Sequence, residues 1–189
     1  MSNLSKKKLI QNRYKIKELI KLIRYVTCWY EKRSKILRSE GAIIGSNCKI
    51  YPSASFGSEP YLIELGNDVR IAAGVRITTH DGGIPVLVKS WKLKNAGKFG
   101  RVKIGNNVHI GINSVIMPGV TIGDNVIIWA GAVITKDIPS NSVAVGVPAK
   151  VIESIDDYYN KVKDDVIYIG NITPVEKRKL IENNLNRKI

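Results

Sequence analysis

From Arg101 to Lys150 an aliphatic residue returns at every sixth position: Ile104, Ile110, Ile116, Ile122, Ile128 and Ile134. A helix repeats every 3.6 residues and an alternating strand every two, so a period of six belongs to neither. It fits short flat strands joined by tight turns, one face per hexad and three faces per coil, with the aliphatic side chain pointing inward. Stacked coils bury a continuous apolar column, because no single coil covers its own inner face. Small side chains five positions after each aliphatic are expected at the narrow corners. Gly105-Asn106-Asn107 and Gly123-Asp124-Asn125 are expected to supply the left-handed backbone that a corner needs.

The same beat begins earlier. Ile44-Gly45 opens a first coil, with Ile50 and Phe56-Gly57 in register. Leu65-Gly66 then comes nine residues after Phe56 instead of six, which puts an insertion, read as a bulged corner, around Ser58-Glu59-Pro60. Leu65, Ile71 and Ile77 resume the rhythm, which stops for twenty-seven residues before Ile104. A solenoid accommodates such an excursion because its backbone resumes on the same face, and long insertions of this kind usually carry function. Two further coils are expected, Ile104 to Thr121 and Ile122 to Pro139. The chain thus divides into a basic helical segment 1–40, a repeat domain 41–152 with an inserted loop 81–101, and a helical segment 153–189. Helices are expected over Glu153–Lys163 and Thr173–Arg187, the second with a capped start at Thr173-Pro174 and Glu176.

A chain of 189 residues, 44% hydrophobic, has material for one core with appendages. Its formal net charge of +14 is uneven: residues 1–40 hold twelve Lys/Arg against three Glu. Between Leu9 and Leu37 the residues Ile16, Leu19, Ile20, Ile23 and Thr27 fall on one helical stripe. Two readings stand side by side. The helix caps the open end of the coil, or it lies on an anionic lipid surface with Tyr25, Trp29 and Tyr30 at headgroup level. Nucleic acid is not the expected partner, because no binding motif accompanies the charge. Cys28 and Cys48 have neither metal-type spacing nor a disulfide framework, so reduced thiols are expected. With no signal-peptide pattern and no membrane-length apolar run, the expected location is cytoplasmic, with a peripheral position at the inner face of the membrane.

The aliphatic-Gly hexads and the closing passage TKDIPSNSVAVGVPAKVI resemble the hexapeptide-repeat acyltransferases, over roughly residues 41–152. The resemblance implies an all-β solenoid, a left-handed parallel β-helix with an N-terminal helical cap and C-terminal helices. Crossovers between parallel strands are ordinarily right-handed, so the handedness comes from the resemblance and not from periodicity. It also implies acetyl-coenzyme A (acetyl-CoA) as co-substrate, no metal, and a homotrimer whose active site lies between two subunits, with the excursion reaching the neighbour.

Within that frame His80, in VRITTHDGG, matches the catalytic histidine that precedes the acceptor loop in sugar O-acetyltransferases of the family. Acetyl transfer from a thioester to a hydroxyl needs a base that titrates near neutrality, and direct transfer needs no nucleophilic Ser or Cys. Asp81 follows directly and is a candidate to orient the imidazole or meet the acceptor. His109, in VHIG, stands where many relatives carry a tryptophan along the coenzyme arm. Trp129 with Ala130 and Gly131 matches the segment where the pantetheine approaches the backbone. Thr135, Lys136, Pro148 and Lys150 match the coil end that meets adenine and phosphates, for which lysine is a suitable point charge.

In the excursion Lys89, Lys92, Lys94, Lys98 and Arg101 face one acid, Asp81, with Trp91 and Phe99 interleaved. Trp91, Lys89 and Lys92 are expected at a sugar acceptor, free or attached to a nucleotide or lipid pyrophosphate. The resulting expectation is an acetyl-CoA-dependent O-acetyltransferase of surface polysaccharide synthesis. An N-acetyltransferase acting on an amino sugar or drug-type acceptor, and a non-catalytic membrane-associated scaffold, are the alternatives. A carbonic anhydrase on the same β-helix needs three histidine ligands, and this chain has two histidines.

Overall fold

The computed structural model describes residues 32–186. The proposed stripe from Ile16 to Thr27, together with Tyr25, Cys28, Trp29 and Tyr30, lies outside the described residues. Helix α1 covers residues 32–39. It is followed by strands β1 (Ile43–Ile44) and β2 (Lys49–Ile50), a single 3-10 turn (Pro60–Leu62), and strands β3 (Ile63–Leu65), β4 (Arg70–Ile71) and β5 (Arg76–Ile77). Helix α2 (Ile84–Lys89) stands alone in the excursion. Then come β6 (Val102–Ile104), β7 (Val108–Ile110), β8 (Val115–Ile116), β9 (Thr121–Ile122), β10 (Val126–Ile128), β11 (Val133–Ile134), β12 (Ser142–Val145) and β13 (Lys150–Ser154). Helices α3 (Ile155–Val162) and α4 (Pro174–Asn186) close the chain.

The strands form three sheets that the chain visits in rotation. β1, β3, β6 and β9 make the first; β2, β4, β7, β10, β12 and β13 the second; β5, β8 and β11 the third. Every pairing is parallel except β12 with β13. The six-residue beat is the register of these sheets. Ile44, Leu65, Ile104 and Ile122 stack on the first face. Ile50, Ile71, Ile110 and Ile128 stack on the second, and Ile77, Ile116 and Ile134 on the third. All are buried, most of them completely, and each such side chain contributes about 1.5–3 kcal/mol relative to exposure.

A second inward column comes four positions after each aliphatic, not five: Val108, Ser114, Val120, Val126 and Ala132 are all buried. On a flat strand, residues two apart share a face, so the position two before each aliphatic also points inward. Space near the corner is short, which selects small side chains. Ser114 is satisfied there by donating from Oγ to the Trp129 carbonyl at 3.1 Å.

The corners divide their labour differently from the expectation. Asn107 and Asn125 do take the left-handed conformation, at φ 52 and 54°. Among the repeat glycines Gly57 does so too, at φ 64°; Gly105, Gly111 and Gly123 do not, and are required by close stacking. A Cβ on Gly105 would stand 2.8 Å from the Gly123 carbonyl, and one on Gly111 2.5 Å from the Ala130 nitrogen. Side chains also join successive corners: Asp124 Oδ1 accepts the Asn106 N–H at 2.5 Å, and the Asp124 N–H donates to Ser140 Oγ at 2.9 Å. The last turn is short, because Ile138 bridges to Ile122 only sixteen residues on.

Before the first coil, α1 is anchored through its side chains. Leu37 is fully buried, and Arg38 donates from Nη2 to the Ile44 and Gly45 carbonyls at 2.9 and 2.8 Å. At the other end, Glu153 and Ser154 belong to a strand where helix was expected. They pair in antiparallel fashion with Val143 and Ser142, which gives the last edge of the second sheet a partner. Contacts divide the chain into two compact units after Ile155. In the second unit α4 starts as expected, with the Thr173 N–H donating to Glu176 Oε2 at 2.7 Å and the Glu176 N–H to Thr173 Oγ1 at 3.3 Å. Among the described residues no helix is long and apolar enough to cross a membrane.

Candidate active site

His80 follows β5 at the edge where the third sheet turns toward the first. Its Nδ1 lies 3.0 Å from Glu59 Oε2, which also accepts the Thr79 hydroxyl at 2.6 Å. Thr79 is fully buried, whereas the side chains of His80 and Glu59 are 44% and 15% exposed. The Thr79 hydroxyl first, and the His80 imidazole second, hold the Glu59 carboxyl below the ordinary glutamate range. An ionised carboxylate only accepts hydrogen bonds. The shared hydrogen is therefore assigned to His80 Nδ1, and in the neutral imidazole Nε2 is then the acceptor nitrogen.

Glu59 is the residue that reading the sequence missed. It sits in the three-residue insertion interpreted as a bulged corner, and in the structure it directly precedes the 3-10 turn at Pro60–Leu62. The insertion lifts a carboxylate out of one coil to meet the histidine of the next. The break in the hexad rhythm was its only signal. Asp81 has other partners: its carboxylate accepts the Gly83 N–H at 2.9 Å and faces Lys98 Nζ at 3.4 Å. The Gly83 bond first, then Lys98, lowers its pKa.

The excursion is pinned at its root. Asp81 N–H donates to the Lys98 carbonyl and Gly100 N–H to the Thr79 carbonyl, both at 2.8 Å. This sets Phe99 opposite His80. Trp91, at φ 63°, is 91% exposed on the outer part of the excursion with Lys89 and Lys92.

The residues singled out for the coenzyme occupy more than one side of the stack. Thr135 and Lys136 follow β11, whose strand stacks on β8 and through it on β5, so they lie along the same edge as His80. Trp129, Ala130 and Gly131 occupy the other edge of the third sheet, between β10 and β11. Pro148, after a cis Val147–Pro148 bond, lies in the next turn along that edge, where Val133 N–H meets the Gly146 carbonyl and Ala149 N–H the Val133 carbonyl. Trp129 is half-exposed and Gly131 is left-handed at φ 72°. Lys150 begins β13 and is exposed. His109 lies on the outer face of the second sheet, between Arg70 and Ile127 in register. Partial burial, and then Arg70, lower its pKa.

Comparison with known proteins agrees with this architecture. Residues 101–136 match the family profile "Bacterial transferase hexapeptide (six repeats)". Protein CapG of Staphylococcus aureus is 45% identical over 157 residues, covering 79% of this chain and 90% of that protein. Galactoside O-acetyltransferase of Escherichia coli (strain K12) is 38% identical over 154 residues, covering 69% and 74%. A solved structure of galactoside acetyltransferase in complex with coenzyme A superposes with a TM-score of 0.53 at 31% identity, covering 76% of this chain and 77% of that one. A three-sheet hexad stack, with relatives matched over most of their lengths, places the chain in the family of hexapeptide-repeat acetyltransferases.

Proposed function

We propose that the protein transfers the acetyl group of acetyl-CoA to a hydroxyl of a sugar, with His80 as general base, in a homotrimer of left-handed β-helices. The observation that carries this reading is the His80–Glu59 pair at an exposed edge, with Nδ1 on a carboxylate at 3.0 Å and the imidazole half-exposed. Nε2 takes the hydroxyl proton as the sugar oxygen attacks the thioester carbonyl, forming the C–O bond. Glu59 stabilises the imidazolium so formed. As the tetrahedral intermediate collapses the C–S bond breaks, and the proton passes from His80 to the departing sulfur. An O-acetyl sugar and free coenzyme A result, and the base is regenerated without an acyl-enzyme.

The acetyl donor is supported by the acetyltransferase relatives and by the coenzyme A complex of a structural neighbour. The sugar acceptor is supported by the galactoside acceptor named for those proteins. A trimer accounts for the split of candidate residues between two edges. His80, Thr135 and Lys136 of one prism would face Trp129, Ala130, Gly131 and Pro148 of the next, with Lys150 and His109 toward the coenzyme. Asp81, Lys89, Trp91 and Lys92 are assigned to the acceptor side. The basic segment 1–40 suits an anionic membrane surface at the cytoplasmic face, where surface polysaccharide precursors are assembled. The test follows thiol release from acetyl-CoA against free and nucleotide-linked sugars. Acceptor-dependent release should fall by about 10²–10⁴-fold in His80→Ala; release that survives this substitution removes His80 from the mechanism.

A further inference from the structure

We infer that Phe99 is a stacking platform for the acceptor ring, a subsite that sets the sugar hydroxyl on His80; this rests on the sugar-acetylating reading above. Phe99 returns from the excursion directly opposite His80, in an antiparallel bridge. The two rings meet at 6.4 Å between centroids with a 66° interplanar angle. The Phe99 residue is nevertheless 58% exposed, so much of an aromatic surface faces water beside the base.

The backbone that carries this surface is held in place. The bonds from Asp81 and Gly100 to the facing strand bracket the Phe99 backbone on both sides. Behind the ring stands Gly97, where even an added Cβ would come within 2.7 Å of Phe99 Cε2 and 3.1 Å of Cζ. A glycine at this point lets the chain close against the ring edge, and a larger residue would displace it.

An exposed aromatic beside the His80 imidazole selects a particular ligand shape. One face of the ligand must be apolar enough to lie on the ring, while its rim carries hydroxyls within reach of the base. A pyranose has this form. Its axial C–H groups present weakly positive hydrogens to the negative face of the aromatic quadrupole, and its hydroxyls radiate from the edge. Phe99 acts here as a positioning residue: it orients the ring, and His80 performs the proton transfer.

The test compares Phe99→Ala, Phe99→Leu and Phe99→Tyr, with His80→Ala as control, using acetyl-CoA with methyl β-galactopyranoside and with methyl 2-acetamido-2-deoxy-β-glucopyranoside. The alanine and leucine variants should lose about tenfold in kcat/KM for the acceptor, the tyrosine variant should retain it, and KM for acetyl-CoA should not move. Leucine keeps apolar bulk without a π face, so it carries the test where alanine perturbs folding. A leucine variant indistinguishable from the parent, or a change confined to KM for acetyl-CoA, overturns the platform while leaving the His80 reading intact. Turnover that persists in His80→Ala overturns the base assignment independently of Phe99. If the parent turns over neither glycoside, the sugar reading and the platform both fall.

Discussion

Glu59 and His80 lie in successive coils, twenty-one positions apart in sequence, and are joined by a 3.0 Å contact from Nδ1 to Oε2. An inserted corner on one coil thereby controls the tautomer of a histidine on the next. Buried Thr79 fixes the carboxylate from the other side. Replacing Glu59 by Gln keeps an acceptor for Nδ1–H but removes the charge that stabilises imidazolium. The expected result is a kcat lower by roughly 10–100-fold with little change in either KM. Glu59→Asp should recover part of the loss, and steady-state kinetics with both substrates varied would check this.

His109 should make stability depend on pH. Its pKa is lowered from 6.5 by partial burial and then by Arg70, so the unfolded chain binds a proton that the folded chain resists. The stabilisation is complete above about pH 6.5 and is lost as pH falls through the lower folded value. Thermal melts between about pH 7.5 and 5 should show a decline that is shallower in His109→Gln. In Arg70→Gln most of the decline should persist, because burial is the larger cause.

The two kinds of hexad position should fail by different routes. Ile110→Ala removes a fully buried side chain stacked between Ile71 and Ile128, at an expected cost of about 2–5 kcal/mol. Gly111→Ala adds one carbon that would meet the Ala130 nitrogen at 2.5 Å and the Trp129 carbonyl carbon at 2.7 Å. Backbone cannot step aside as a side chain can, so about 1–3 kcal/mol is expected for a single methyl. Urea unfolding at one fixed protein concentration measures both.

The proposed division of the site between two edges of neighbouring subunits predicts complementation. His80→Ala and Gly131→Trp should each be inactive as pure preparations. Unfolding and refolding them together should restore part of the activity, because some interfaces then join an intact histidine edge to an intact Trp129–Gly131 edge. Mixtures no more active than their components would place both edges in one subunit's site.

Much of this arrangement was legible from spacing alone. Ile104 to Ile134 gave the period, the inward face and the register of three sheets, because a repeat that stacks on itself turns sequence interval directly into spatial neighbourhood. His80 stands where the rhythm breaks, but its candidacy as a base rests on the resemblance of VRITTHDGG to sugar O-acetyltransferases of the family and not on spacing. The roles within a corner were less legible. Gly105 and Asn107 both suit tight turns by residue type, and only the distance to the next coil separates close approach from left-handed backbone. The strand over Glu153 and Ser154 was hidden too, since its pairing partner is a distant edge and not a feature of its own residues.

The sequence by itself determined the three-sheet stack and its core, since one buried aliphatic at every sixth position turns sequence interval into register. Tertiary structure alone decided that Glu59, rather than the adjacent Asp81, meets His80 and that Phe99, rather than Trp91, stands beside it. Those choices depend on an insertion and an excursion whose paths have no period. Their geometry is set by hydrogen bonds between coils that sequence distance does not encode.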